Sequence, residues 1–576
     1  MSASHVISTA GHVDHGKSTL VTALTGTNPD RFDEERERGL TIDLGFASTN
    51  LPSGRTVAII DVPGHVRFLK NMLAGVGAVD ACMFVVSAVE SWMPQSEEHL
   101  RILELLNVEH GIVALTQKDL VDAETLELAE LDVAEHLEGT FLADAPIVPV
   151  DSISGAGLDD LRAALDQVLD ATPQAEDLGR PRLWIDRSFA AKGSGTVVTG
   201  TLTGGSLSVD DELIVEPGAR SVRVRAIQSL HASLDTVTPG NRVALNLGGV
   251  SHDEVRRGDV IVRAGQWFSS AVFDARLSVL DDLDHSVSRR GAHVVYLGSG
   301  EHPAHLRVLG PDEIVPGTEG SVRLRLGAPY PMLPGDRFVL RESGRSETIG
   351  GGEILDIEPV TRASQAAPDR SVDRVIAERG WVDLEHLELL TGERREPNVG
   401  NWIVEPSVLE ADLAALAERI DAAEGLGLPL AELNERDRAM LDLLEDVGVD
   451  GTHVRKVDAV DKLRDHPFLA ALRESPFEPP GPDRYDRGEV RELVRRGLVV
   501  QSDGIFFAAE AIEAAALAIA TLLQGQPDGV TVSDVRTAWN TSRKYALPLL
   551  AHLDGTGVTR RREDVRIGGP RLPSVD

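Results

Sequence analysis

The stretch HVISTAGHVDHGKSTL (His5–Leu20) passes from a β-branched apolar run through a glycine-rich turn into a helix-forming segment. Within it, Gly11–Ser18 fits G-x-x-x-x-G-K-[ST], and a strand before with a helix after is the context that pattern needs. Backbone N–H groups of such a loop, together with the helix N-terminus, surround phosphate oxygens. Asp14, His15, Gly16 and Thr19 frame the loop. Lys17 brings a point charge toward the β- and γ-phosphates, and the Ser18 hydroxyl can ligate Mg²⁺.

Four further segments complete a nucleotide site. DVPGH (Asp61–His65) follows the apolar run VAII. An acid ending a strand beside the phosphate-loop strand can hold the water shell of Mg²⁺, and Gly64 lets a backbone N–H approach a γ-phosphate. RGLTIDLGF (Arg38–Phe46) precedes that strand, and its Thr41 can close over the metal when a γ-phosphate is present. Two phosphate-sensing segments flanking one Mg²⁺ form a switch. TQKD (Thr116–Asp119) follows GIVAL, where Asp119 can accept from the N1 and N2 donors that guanine has and adenine lacks. DSISGAG (Asp151–Gly157) follows PIVPV, and Ser152 heads the loop that would back the base. In this order, and at these strand ends, the five segments specify a GTPase with GTP/GDP and Mg²⁺ as its ligands.

The 576 residues exceed what one core supports. Residues 1–172 alternate apolar strands with helical stretches, which predicts an α/β, mainly parallel, doubly wound GTP-binding domain. After a linker at Thr172–Pro181, short strands punctuated by Gly, Pro and Asp predict two β-barrels, over 180–264 and 265–360. Residues 370–576 read as helices with brief hairpins, a tandem array of four winged helices whose last copy spans about 512–576. Cys82 is the only cysteine, which excludes an intramolecular disulfide and a cysteine-cluster zinc site. No apolar run is long enough for a bilayer, and MSASHVISTAGHVDHG lacks the segments of a signal peptide, so the expected location is the cytoplasm. A net charge of −35 repels polyanions over most of the surface and confines nucleic-acid binding to local basic patches.

GHVDHGKS, RGLTID, DVPGH and FAAKGSGTVVTGT (Phe189–Thr201) resemble the translational GTPases related to elongation factor Tu. TIDLGF, TIGGGEILD (Thr348–Asp356) and TSRKYALPLLAHLDGTGVTRRREDVR (Thr541–Arg566) resemble the bacterial selenocysteine-specific branch of that family. The resemblance implies a monomer that carries selenocysteinyl-tRNA to the ribosome at UGA codons and reads a downstream mRNA hairpin. It makes His65 the residue that orients the attacking water once the ribosome places it, with slow hydrolysis otherwise. An aminoacyl pocket between the GTPase domain and the first barrel is implied at Phe46, Asp186, Arg187 and Arg242. A selenol is an anion at neutral pH, so such a pocket should offer cations or strong donors. Asp186 and Arg187 are adjacent in an extended run, which predicts side chains on opposite faces. The base-reading motif departs from the family pattern N-K-x-D: Thr116 offers only a hydroxyl, and Gln117 replaces the lysine whose stem packs on the base.

The acidic chain ends in a basic segment. From Ser542 to Arg571, seven lysines and arginines stand against three acids. Ser542, Arg543, Lys544 and Tyr545 begin a helix suited to phosphate contact and base stacking, with Arg560, Arg561, Arg562 and Arg566 at the wing beside it. Two other readings compete. A general aminoacyl-tRNA carrier leaves the helical tail without a task, and a winged-helix regulator with a switching nucleotide site leaves the two barrels without one.

Overall fold

The structure, a computed structural model, describes residues 4–29, 41–65, 69–76, 79–191, 193, 195–230, 232–423, 427–457, 463 and 465–574. Arg38, Gly39 and Leu40 of the switch segment, and Lys192 and Ser194 of the barrel motif, lie outside these residues. The chain divides into two compact units at Glu396/Pro397.

In the first unit, six strands form one sheet: β1 (Ser4–Ala10), β2 (Gly45–Asn50), β3 (Thr56–Asp61), β4 (Ala81–Ser87), β5 (Gly111–Thr116) and β6 (Ile147–Pro149), in the order β2-β3-β1-β4-β5-β6. All neighbours are parallel except β2, which runs antiparallel to β3. Strands covered by helices on both faces read as continuous apolar runs, and β4 and β5 are buried at every position. The order reverses at β1, and its carboxyl end is where an open α/β sheet makes a ligand crevice. Helix α1 (Lys17–Thr25) leaves that end and buries Leu20, Val21 and Leu24 against the sheet.

Two barrels follow. In the first, the strands Glu212–Glu216, Val260–Val262, Arg182–Trp184, Gly195–Thr203, Arg242–Gly248 and Arg220–Ser229 close on themselves, with Arg187–Ala191 paired to Gly195–Thr203. Strict alternation along Gly195–Thr203 sends Val198 and Leu202 inward to meet Leu213, Val215, Val224 and Leu245. The second is a closed barrel of Ser269–Val279, Glu319–Pro331, Gly300–Val308, His293–Leu297, Arg337–Glu342 and Glu347–Asp356. Gly352 in its last strand permits close packing: a Cβ there would lie 1.9 Å from the Arg276 carbonyl oxygen.

The second unit is helical with small hairpins. Helix Arg487–Arg495 precedes the hairpin Val499–Ser502/Ile505–Ala508. The final module has helix Ala509–Gly525, strand Val530–Thr531, helices Val532–Trp539 and Arg543–Gly555, then the hairpin Thr559–Arg562/Val565–Gly568. Thr531 and Asp534 form a reciprocal capping box at the second helix. Ile519, Val535, Trp539, Leu549 and Leu553 make its core. These are the helices and wing of a winged helix. Among the described residues no helix is long and apolar enough to cross a membrane.

Candidate functional site

The phosphate loop leaves β1 at Gly11 and enters α1 at Lys17, as the sequence predicts. Lys17 is 6% exposed, and its Nζ donates to the carbonyls of Gly11 (2.9 Å) and His12 (2.6 Å). Burial lowers its pKa to about 8 against the opposing pull of Asp61 and Asp14. Asp14 adopts a left-handed conformation (φ 66°), and Thr19 is exposed on the first helical turn. Gly64 seats directly on the loop: a Cβ there would fall 2.5 Å from Lys17 Nζ and 2.6 Å from the Val13 nitrogen. His65 follows, half-buried.

The three expected metal ligands meet. Ser18 Oγ donates to Asp61 Oδ2 at 2.6 Å and lies 2.7 Å from Thr41 Oγ1. Asp61 is fully buried, and its Oδ1 accepts from Thr9 Oγ1 at 2.8 Å. Thr9 Oγ1 in turn accepts from the Val62 nitrogen at 3.0 Å, which fixes the start of the Asp61–His65 segment. Three small oxygen donors at one point, at the end of a buried strand, form the hard-ligand set that suits Mg²⁺ when phosphate and water complete the shell.

Two residues of the helix Pro94–Leu105 hold the loop from behind, and sequence reading did not single them out. The Gly11 nitrogen donates to His99 Nδ1 (3.0 Å), and the Val13 nitrogen to Gln95 Oε1 (3.0 Å). Burial pushes His99 down to about 3 and His15 to about 4, so both rings are neutral, and His99 can accept at Nδ1. The available signal was a polar residue, His99, at a helical position that the amphipathic pattern assigns to the buried face.

At the base-reading end, the departures from the family pattern acquire partners. The Thr116 hydroxyl donates to the His15 carbonyl at 2.7 Å, tying β5 to the phosphate loop. Gln117 accepts from Ser87 Oγ (2.8 Å) and donates to the Asp14 carbonyl (3.3 Å), so it acts as a strut. Asp119 Oδ2 accepts from Ser154 Oγ at 2.6 Å, and Ser152 lies half-buried in the same loop. Asp151 caps that loop by accepting from the nitrogens of Ile153 and Ser154.

Phe46, Asp186, Arg187 and Arg242 also come together. The Arg242 guanidinium lies 3.5 Å from the Phe46 ring centroid and that of Arg187 4.8 Å, a double cation–π arrangement. Arg242 pairs with both oxygens of buried Asp186, and Thr199 Oγ1 donates to Asp186 Oδ1 at 2.6 Å. The expected opposition of Asp186 and Arg187 does not hold. Asp186 sits in the bend between strands Arg182–Trp184 and Arg187–Ala191, where alternation lapses, and both side chains serve one cluster.

In the final module, Ser542 immediately precedes the helix that starts at Arg543, and Lys544 Nζ stands 4.9 Å from the Tyr545 ring centroid. Arg543, Arg560, Arg561 and Arg562 are exposed. Arg566 differs from them: it is 6% exposed, and its Nε donates to Asp554 Oδ2 at 3.2 Å, so it braces the wing and is not part of the exposed set.

Comparison with known proteins follows the same division of the chain. Residues 3–171 match the family model for the elongation factor Tu GTP binding domain, and 195–262 that for elongation factor Tu domain 2. Residues 274–361 match the β-barrel domain of the selenocysteine-specific elongation factor, and 521–567 the winged helix of elongation factor SelB. In its GTP-binding domain, both barrels and last module the chain is thus similar to the selenocysteine-specific elongation factors. It is 39% identical over 353 residues to the selenocysteine-specific elongation factor of Desulfomicrobium baculatum, covering 61% of this chain and 55% of that one. To the Escherichia coli (strain K12) protein it is 35% identical over 399 residues, covering 66% and 62%. The chain thus spans less than two thirds of the length of these curated relatives. A crystal structure of bacterial selenocysteine-specific elongation factor EF-Sec superposes with a TM-score of 0.78 at 25% identity, over 99% of this chain and 100% of that one. Elongation factor SelB from Methanococcus maripaludis, in complex with the GTP analogue GppNHp, gives 0.54 at 26% identity over 62% and 81%.

Proposed function

We propose that the chain is a GTPase that carries selenocysteinyl-tRNA to the ribosome at UGA codons and reads a downstream mRNA hairpin with its C-terminal winged helices. GTP would sit along the loop Asp14–Thr19 with Gly64 over the γ-phosphate and Asp119 on the guanine edge. Mg²⁺, held by Ser18, Thr41 and Asp61, would neutralise charge on the β- and γ-oxygens. His65 orients the attacking water when the ribosome positions it, and loss of the γ-phosphate frees Thr41. Movement of the segment from Thr41 to Phe46 then opens the pocket and releases the tRNA.

The observation that carries the cargo assignment is the pair of guanidinium groups on the Phe46 ring. A selenolate is an anion at neutral pH and gains from Arg187 and Arg242, whereas a serine hydroxyl is neutral and gains little. Protection of the aminoacyl ester tests this. With GppNHp, selenocysteinyl-tRNA should be shielded from hydrolysis at concentrations that leave the seryl form of the same tRNA unshielded. Equal shielding of the two would refute the assignment.

A further inference from the structure

The residues between the metal ligand and the cargo pocket are gripped at almost every position. Thr41 meets Ser18. The Ile42 carbonyl accepts from Asn71 Nδ2 at 2.7 Å, and the Leu44 carbonyl from Arg187 Nη2 at 2.9 Å. Asp43, between them, is bound by two arginines of the first barrel: Oδ1 lies 2.9 Å from Arg257 Nη2, and Oδ2 3.5 Å from Arg187 Nη2. Arg257 spreads its fork further, donating from Nη1 to Asn71 Oδ1 at 2.6 Å and from Nε to the Asp186 carbonyl at 2.9 Å. One guanidinium therefore touches the switch segment, the helix Leu69–Val76 behind it, and the bend that carries Asp186.

We infer that Asp43 is the positioning residue through which nucleotide state reaches the cargo pocket, acting on Arg257 and Arg187. Asp43 lies two residues from Thr41 and three from Phe46, in a segment too short to absorb a shift at one end without moving the other. With Thr41 drawn to Ser18, the Asp43 carboxylate arrives between the two arginines. It holds Arg187 beside Phe46 and, through Arg257, fixes the backbone of Asp186, whose carboxylate orients Arg242. When Thr41 leaves, the carboxylate leaves with it, and both pocket arginines lose their support. The geometry asks for a fork with donors in three directions, which arginine provides and lysine does not. A charge-assisted contact between half-buried groups is of the size that allosteric couplings require. Asp43 makes no contact with nucleotide phosphate or with the reacting atoms in this scheme. It transmits.

The inference rests on the proposed cargo, so the experiment separates the two. Affinity of the full chain for selenocysteinyl-tRNA is measured by ester protection with saturating GppNHp and, separately, with saturating GDP. The Asp43→Asn chain should bind about tenfold more weakly than wild type with GppNHp, within the usual range of coupling, and equally with GDP. Arg257→Lys should reproduce that loss, the double variant should add little to it, and Asp43→Glu should recover part of it. Unfolding temperatures should match wild type, which distinguishes lost coupling from lost folding. An unchanged ratio between the two nucleotide states in Asp43→Asn, or an equal loss in both, overturns the inference while leaving the cargo assignment intact. Absence of protection by the wild-type chain overturns the cargo assignment and the inference with it.

Discussion

Lys17 is almost wholly buried, its ammonium bonded to two loop carbonyls, whereas Arg543, Arg560 and Arg562 are exposed with no ion-pair partner among the described residues. Both groups are suited to phosphate, in different ways. The buried cation sits among fixed donors, in low dielectric, where one ligand of one shape is rewarded and salt screens little. The exposed cations answer to any array of phosphates within reach, and their contribution falls as salt rises. Where a protein must hold one nucleotide, charge is enclosed; where it must find a nucleic acid, charge is left in water.

The largest expected effect concerns the enclosed kind. Arg242→Met should destabilise the first unit by about 3–5 kcal/mol, because it leaves the Asp186 carboxylate buried without its partner. Denaturant unfolding measures this, and a loss under about 1 kcal/mol would show that the pair is solvated like the cations of the tail.

Acid should part the two units next. His15, His99 and His302 are buried and held neutral, at about 4, 3 and 4 against an ordinary 6.5. Between those values and 6.5 the unfolded chain binds protons that the folded one refuses, so stability falls as pH falls. Three such groups contribute a slope of at most about 4 kcal/mol per pH unit, approached near pH 5. In the second unit, Glu492 is held down to about 2, chiefly by its bond from Arg495, so its contribution persists until the pH drops below its ordinary 4.5. Hydrogen exchange followed unit by unit from pH 7 to 4.5 should show the first loosening before the second. The reverse order would break the comparison.

The smallest effects lie in the tail. Arg566→Ala should cost about 1–3 kcal/mol of local stability by leaving Asp554 short of a partner, with the salt dependence of hairpin binding unchanged. Arg543→Ala together with Arg561→Ala should change stability by less than about 0.5 kcal/mol, yet lower the salt slope of binding by nearly two phosphate contacts. An unaltered slope in that double variant would place the RNA contact elsewhere.

Much of this was legible in the chain because strand-end motifs encode backbone geometry. Gly11 and Gly16 take the positive φ that the loop needs and Gly64 sits where a Cβ would clash, while the strand-end positions of Asp61 and Asp119 and the order of these motifs along the chain pointed to the sheet. The two barrels followed from alternation and turn residues. What stayed hidden depends on contacts between distant segments. His99 and Gln95 meet the phosphate loop across more than eighty residues, and Arg257 meets Asp43 across more than two hundred. Arg566 was misread for a related reason: an arginine in a basic run looks like its neighbours until the register of the hairpin turns it inward. Asp186 and Arg187 were assigned opposite faces by a rule for strands, and a bend set that rule aside.

The Asp554 carboxylate takes a bond from Thr559 Oγ1 at 2.6 Å on one oxygen and from Arg566 Nε on the other. Helix Arg543–Gly555 and the wing are thereby riveted into a single body. Were the proposed mRNA hairpin to dock there, only side-chain rotamers would be left to freeze, and shape could be discriminated at a smaller entropic cost than a loose wing would incur.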